Sequence, residues 1–352
     1  MYTSGTTGFT KGVMHNHSML HMATDIGNRL GMRTTDVILM YLPFFHIFGL
    51  YQGVMVSLMT GACQVVTEQF DAGEALQLIE RERVTRLYGF DTHFNDLMQH
   101  PTCAQTDRSS LRLGLLAAGM ASTEPVARRA QTLLCPTVSG WGMTESGASP
   151  SISYPLDSEE DRCTTSGVAL PGYTFKIIDP DTGATQPYGT PGELCCKGYQ
   201  VTQGYYKKPD ETAKALDLDG WLHTGDLATM RDDGTMRFLG CYKDLLKVGG
   251  ENVDPVEVEA FFQQRPAINQ VKIVGVPDSR LHEVGCACVI LELGATLTLE
   301  ELRAFSQGKM ASFKIPRHLI FVKEYPMTSS GKVQKFKLQE LCVETLDLNA
   351  GS

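Results

Sequence analysis

The sequence predicts an α/β protein: a mostly parallel sheet flanked by helices, then a β-rich part, then a small α+β domain. Three observations predict it. Short apolar, partly β-branched runs alternate with helical stretches over roughly the first 150 residues, and strand–helix–strand repetition of this kind builds parallel sheets. Residues 166–240 hold short runs between turns rich in Gly, Pro and Asp, such as PDTGATQPYGTPGE and RDDGTMRFLG. Such punctuation predicts antiparallel, barrel-like β structure. From about residue 244 a compact alternation of helices and strands follows.

Each element has a local signal. DVILMY (36–41) reads as a buried strand, and FGLYQGVMVSLMTG (48–61) as a helix closed by Gly61 at its left-handed cap. Ala62–Val66 is the next strand. Asp71 with Glu74 forms a capping box for a helix through Glu82. Val84–Phe90 and Leu111–Ala118 return as strands. Thr123-Glu124-Pro125 starts a helix to Leu134, and Val138 leads into GWGMTE. In the last part, Asp254-Pro255 with Glu257 opens a helix through Gln264. Strands at Val271–Val276 and Ala287–Leu293, a helix at Leu299–Lys309 and a strand at His318–Val322 complete it.

Composition narrows the function. Lys plus Arg number 31 against 40 Asp plus Glu, a net charge of −9, which disfavours a nucleic-acid partner because phosphate neutralisation needs a basic face. No apolar run reaches membrane-spanning length, and no cationic-then-apolar leader opens the chain. The 10 cysteines are scattered. Cys195-Cys196 and Cys286-x-Cys288 lack zinc-ligand spacing, so the thiols read as buried or free in a reducing cytoplasm.

The opening YTSGTTGFTKG (2–12) is rich in Gly, Ser and Thr and carries one lysine. Backbone amides, hydroxyls and a cation so arranged suit a phosphate. The string resembles the phosphate loop of the adenylate-forming superfamily, which includes acyl-CoA synthetases, aryl-CoA ligases and peptide-synthetase adenylation domains. Further segments resemble that family's motifs in order: LPFFHIFG (42–49), GWGMTE (140–145), GELCCKG (192–198), GYYKKPDET (204–212), DGWLHTGDLA (219–228), GCYKDLLKVGGENVDPVEVE (240–259) and PMTSSGKVQKFKL (326–338).

The resemblance implies a large adenylation domain over residues 1–242 and a small mobile lid domain over 243–352. It implies ATP, Mg²⁺ and CoA as the small molecules used with a carboxylic acid. Thr3, Ser4, Gly5, Thr6, Thr7, Gly8 and Lys11 would cradle the β- and γ-phosphates. Gly119, Met120 and Ala121 would border the adenine, with Trp141, where the family usually has Tyr, flanking it beside Gly142 and Met143. Thr144 would touch the α-phosphate, Glu145 would help hold Mg²⁺, and Asp226 would accept from the ribose. Lys332 would bridge carboxylate and α-phosphate during adenylation. His46 would stand at the carboxylate's gate. Lys243 would be the hinge pivot, and Lys247, Gly249, Gly250 and Glu251 would shape the path for CoA, the glycines letting a thiol arm pass close to the backbone.

Two readings follow about substrate. Peptide-synthetase domains place an aspartate in the 42–49 motif for an amino group; Phe45 and His46 offer no acid, so an ammonium would go unpaired. The acid is therefore a plain one, of medium or long chain on the resemblance of KVGGENVDPVEVE and SGKVQKFKL, with aryl acids and a silent nucleotide-binding protein as the alternatives. Two departures matter. Cys241 stands where the family has Arg, which predicts weaker ATP use, with Arg237 on the wrong side to compensate. Family members also carry a long segment before the phosphate loop, so the chain is expected to be a fragment with an apolar sheet face left uncovered.

Overall fold

The computed structural model describes residues 1–3, 10–117, 119–327 and 333–348, without the side chain of Lys243. The chain forms two compact units, Met1–Leu239 and Gly240–Ser352, each with its own apolar core.

In the first unit a short hairpin, β1 (Tyr2–Thr3) and β2 (Lys11–Gly12), pairs Thr3 with Lys11. A seven-stranded sheet follows, built from β3 (Val37–Met40), β4 (Cys63–Val66), β5 (Arg86–Gly89), β6 (Leu113–Leu116), β7 (Thr137–Trp141), β8 (Ser151–Ile152) and β9 (Val168–Ala169). Its order is β4-β3-β5-β6-β7-β8-β9. The first five strands are parallel, and β8 and β9 continue antiparallel. The strands β5, β6 and β7 are buried throughout, as expected for parallel strands covered on both faces.

Helices α1 (Met19–Arg29), α2 (Val56–Thr60), α3 (Ala72–Arg81), α4 (Asp91–Gln99), α5 (Glu124–Leu133), α6 (Glu159–Thr164) and α7 (Pro209–Ala215) complete this unit. The Asp71 half of the signalled α3 capping box forms: the Glu74 amide donates to Asp71 Oδ1 at 2.8 Å. Arg29 anchors the last turn of α1 by donating to the carbonyls of Val168 (3.2 Å) and Ala169 (3.0 Å). The predicted 48–61 helix is π-helical over Phe48–Met55 and α-helical only from Val56. Close approach explains its glycines. A Cβ on Gly49 would lie 2.4 Å from the Pro43 carbonyl oxygen, and one on Gly53 would lie 2.2 Å from Met40 Cε.

The β-rich part is not a barrel. It is a four-stranded sheet ordered β10 (Tyr173–Ile178), β11 (Gly192–Gly198), β12 (Leu222–Met230), β13 (Met236–Cys241). The sequence reading also passed over α1, α4, α6 and α7 and, in the last part, the helix Lys335–Thr345. The second unit holds β14 (Leu246–Val248), β15 (Glu251–Val253), β16 (Ile268–Asp278), β17 (His282–Leu291) and β18 (His318–Phe321), with β18 parallel to β17. Helices α8 (Pro255–Phe262), α9 (Leu299–Ser306) and α10 (Lys335–Thr345) accompany this sheet. Among the described residues no helix is long and apolar enough to cross a membrane.

Candidate active site

The end of β7 gathers several of the predicted residues. Trp141 ends this wholly buried strand, at 5% exposure, edge-on to Phe175. Its indole Nε1–H donates to Asp226 Oδ2 at 2.9 Å, across 85 residues of sequence. Gly142 follows, where a Cβ would sit 1.4 Å from the Ala148 carbonyl oxygen; no side chain fits. Met143 leads into a single 3₁₀ turn, Thr144–Ser146, tied by the Met143 amide donating to Ser146 Oγ at 3.0 Å. Glu145 is carried inward by this turn, to 6% exposure. Its Oε1 accepts from the Tyr205 hydroxyl at 2.9 Å, and its backbone carbonyl accepts from the Thr202 amide at 2.8 Å. A buried carboxylate with one oxygen already oriented is a fitting ligand for a hard cation such as Mg²⁺, through its other oxygen.

Asp226 sits on β12, in a turn where the Thr224 hydroxyl accepts from the Asp226 amide at 3.1 Å and donates to the Leu194 carbonyl at 2.6 Å. Gly119 adopts φ +116°, and a Cβ there would meet Ser166 Oγ at 2.1 Å. Met120 accepts from the Thr123 hydroxyl through its carbonyl, and Ala121 is half-buried. Arg237 reaches the segment that would border the adenine. Its Nε–H donates to the Gly119 carbonyl at 3.2 Å, and its guanidinium lies 4.0 Å from Glu124.

The phosphate-loop residues Ser4, Gly5, Thr6, Thr7 and Gly8, together with Lys332, lie outside the described residues. Lys11 is engaged by a partner the sequence did not suggest. Its Nζ is 2.6 Å from Glu211 Oε2 and 4.7 Å from the centre of the Tyr205 ring. Lys11 first, then Lys214, pulls the Glu211 carboxyl down to about 2. His46 Nδ1 accepts from the Phe48 amide at 3.2 Å, and the ring lies edge-on to Phe90. Its neighbour Phe45 is 67% exposed rather than packed inward.

In the second unit Gly249 and Gly250 form the two-residue turn between β14 and β15, where Val248 faces Glu251. Both have positive φ, +60° and +94°, as a type I′ hairpin requires. The turn itself therefore demands glycine, which the sequence reading had attributed to ligand passage. Lys247 is exposed, and its amide donates to Glu283 Oε2 at 2.6 Å. Beside the turn is a cavity of about 290 Å³ lined by Val248, Gly249, Glu251, Arg280, Ser312 and Arg317 among others. Arg280 and Arg317 give it a cationic wall.

Sequence reasoning missed four residues around Glu145. Tyr205 and Gln200 come from segments far along the chain. Gln200 Nε2 donates to the Tyr51 hydroxyl at 3.1 Å and lies 3.2 Å from His15 Nδ1. Burial, and then the nearby amino terminus, holds His15 down to about 4, so it is neutral at pH 7. Tyr205 stood within the motif GYYKKPDET without being given a role, and His15 had a signal as a histidine following the glycine-rich loop.

Comparison with known proteins adds independent findings. Residues 1–206 match the AMP-binding enzyme family, and residues 257–332 match the AMP-binding enzyme C-terminal domain. YngI of Bacillus subtilis is 41% identical over 99% of this chain and 64% of its own length. The rat mitochondrial medium-chain acyl-CoA ligase ACSF2 is 38% identical over 99% of this chain and 58% of its own. Among solved structures, ATP-bound MatB from Rhodopseudomonas palustris superposes with a TM-score of 0.87 at 30% identity, over 97% of this chain and 67% of that one. The anthranilate CoA ligase AuaEII, in complex with anthranoyl-AMP, gives 0.86 at 29%, over 98% and 67%. The chain thus spans 64% and 58% of the length of these two curated relatives.

Proposed function

This chain belongs to the AMP-binding enzyme family, and we propose that it activates a medium-chain carboxylic acid with ATP and passes the acyl group to the thiol of CoA. The acid's carboxylate attacks the α-phosphorus, pyrophosphate leaves, and the thiol then displaces AMP from the acyl-adenylate. Two anions meet in the first step, so oriented donors and positive charge must offset their repulsion.

The observation that carries this reading is the Trp141–Asp226 hydrogen bond beside the turn that buries Glu145. The indole holds the Asp226 carboxylate in place to accept from the ribose hydroxyls, with Gly119, Met120 and Ala121 bordering the adenine. Arg237, tethered at Gly119, supplies cationic charge in place of the family's arginine at Cys241. Thr3 and residues 4–8 receive the β- and γ-phosphates, and Lys11 exchanges Glu211 for them. Glu145 would hold Mg²⁺, which supplies charge neutralisation to the phosphates when bound. Thr144 contacts the α-phosphate and His46 stands near the acid. Lys332 stabilises the charge shared between carboxylate and phosphate.

In the second domain, which we take to run over 243–352 with Lys243 as its pivot, the Arg280 and Arg317 wall suits the phosphates of CoA. Lys247, Gly249, Gly250 and Glu251 border its path. The ACSF2 relatives support a medium-chain acid. The anthranilate ligase supports the aryl reading, at lower identity. The test is acid-dependent pyrophosphate release from ATP and Mg²⁺, with short, medium, long and aromatic acids and a Lys332→Ala control. Medium-chain acids are expected to give the highest kcat/KM, and the control to lose about 10²–10³-fold. Equal release by the control would overturn the reading, and a preference for aromatic acids would replace its substrate.

A further inference from the structure

Among the described residues, two groups of side chains able to ligate a metal lie outside the residues assigned above. One is the thiol trio Cys286, Cys288 and Cys342, all fully buried, with the last two sulfurs 3.1 Å apart. Three thiolates around a divalent ion leave a net negative charge sealed from water, which is costly. The other is Glu193, Cys195 and His223, on the paired strands β11 and β12. Here the chemistry closes.

We propose that Glu193, Cys195 and His223 form a binding site for a divalent cation of the zinc class. Cys195 and His223 are direct cross-strand partners, and the register shifts between Glu193 and Cys195. An irregularity of that kind re-aims side chains, and here it turns Glu193 toward the same imidazole. His223 Nδ1 lies 3.1 Å from Glu193 Oε2 and 3.7 Å from Cys195 Sγ. A tetrahedral zinc with nitrogen and oxygen at about 2.0–2.1 Å and sulfur at about 2.3 Å has N···O and N···S edges of about 3.3 and about 3.6 Å. The two edges from His223 Nδ1 thus already stand near those of that tetrahedron, and all three donors lie within 4.8 Å of one another. Thiolate and carboxylate carry two negative charges and the imidazole none, so a divalent ion leaves the site neutral.

The surroundings complete it. His223 Nε2 faces Asp217 Oδ2 at 3.8 Å. A carboxylate on the far nitrogen fixes the tautomer that leaves Nδ1 able to ligate. Asp217 is itself oriented, its Oδ1 accepting from the Asp219 and Trp221 amides. Glu193 Oε1 accepts from the Gly225 amide at 3.0 Å. His223 is 31% exposed and Glu193 15%, which gives the ion an entry path and a water in the fourth position. The cation displaces the Cys195 thiol proton to solvent as the sulfur–metal bond forms.

Cobalt(II) is the probe, because its tetrahedral thiolate complexes absorb visibly. Equimolar Co²⁺ added to the full chain is expected to give a visible d–d band and a near-ultraviolet sulfur-to-cobalt band, both removed by Zn²⁺. Cys195→Ser should lose the sulfur band. Asp217→Asn, which keeps an Oδ1 acceptor for the Asp219 and Trp221 amides, should weaken binding by about 10-fold or more. Cys288→Ser should leave both bands unchanged. No bands from the wild-type chain, or bands that survive Cys195→Ser and vanish with Cys288→Ser, would overturn the proposal.

Discussion

The proposed nucleotide residues in the first unit and the proposed thiol-path residues in the second are held in opposite ways. Trp141, Glu145 and Asp226 are buried or half-buried and fixed to one another or to Tyr205 by hydrogen bonds from distant segments. Lys247, Gly250 and Glu251 are exposed on a hairpin, and what positions them is the turn itself. The first arrangement is preorganised by packing, which suits oriented charge that must not relax during reaction. The second is set by backbone conformation, which suits a segment over which a long flexible thiol arm passes.

The largest expected effect tests the packed side. Gly142→Ala drives a methyl into the Ala148 carbonyl, at 1.4 Å from backbone that cannot step aside. The cost should exceed about 4 kcal/mol. Both tryptophans, Trp141 and Trp221, lie in the first unit, so tryptophan fluorescence during denaturant unfolding reads this unit alone. A loss below about 1 kcal/mol would show that the 3₁₀ turn gives way and that the packing picture is wrong.

The two units should also respond oppositely to pH. His93 in the first unit is held down to about 4 by burial, so its neutral form is the folded one. Its contribution is full above the ordinary value near 6.5 and is lost as pH falls from about 6.5 toward 4, by about 3 kcal/mol. Asp254 in the second unit is pushed up to about 6, mainly by burial. Its contribution is full below about 4 and is lost as pH rises through about 6, again by about 3 kcal/mol. Hydrogen exchange on peptides of each unit should show the two trends. Buried His15 in the same unit is held down to about 4 as well, so His93→Gln should roughly halve the first trend, and Asp254→Asn should flatten the second. Parallel trends that ignore both variants would remove this contrast.

How much of this could be read from the chain differs in the same way. The α3 cap was legible because Asp71 and Glu74 are three residues apart, and the parallel core because runs such as VILM at 37–40 need no partner to be recognised. The Arg237 contact with Gly119 joins residues 118 positions apart and had no local signal. Gly249 and Gly250 were assigned to a ligand when the hairpin already requires them. Tyr205 on Glu145, Glu211 on Lys11, and the meeting of Cys195 with His223 join residues 28 to 200 positions apart. No local spacing encodes such pairs; only the pairing of β11 with β12 and the packing around Glu145 create them.

A smaller effect sharpens the first-unit side. Trp141→Phe keeps a buried ring but deletes the donor to Asp226. A hydrogen bond to a charged group contributes about 1.5–3 kcal/mol. On the proposed role for Asp226, the KM for ATP should rise by roughly 10–100-fold, while the KM for the acid stays within about twofold. A loss falling on the acid instead would move Asp226 away from the nucleotide.

The smallest effect belongs to the hinge-side turn, and it separates its two explanations. A Cβ on Gly250 meets nothing within 4 Å, yet φ is +94°. Alanine there costs conformational strain alone, about 1–2 kcal/mol. A Cβ on Gly249 would in addition come within 2.9 Å of Leu281 Cδ2, a flexible end that can move. If the turn positions the thiol path only through its backbone, both variants should slow acyl transfer to CoA several-fold and leave pyrophosphate release unchanged. If the glycines are there to let a ligand graze the backbone, Gly250→Ala should raise the KM for CoA more than Gly249→Ala does, because its new methyl points into open space. The relative rank of the two variants, measured in the thiol-dependent half-reaction, decides between a turn that needs glycine for itself and one that needs it for the substrate.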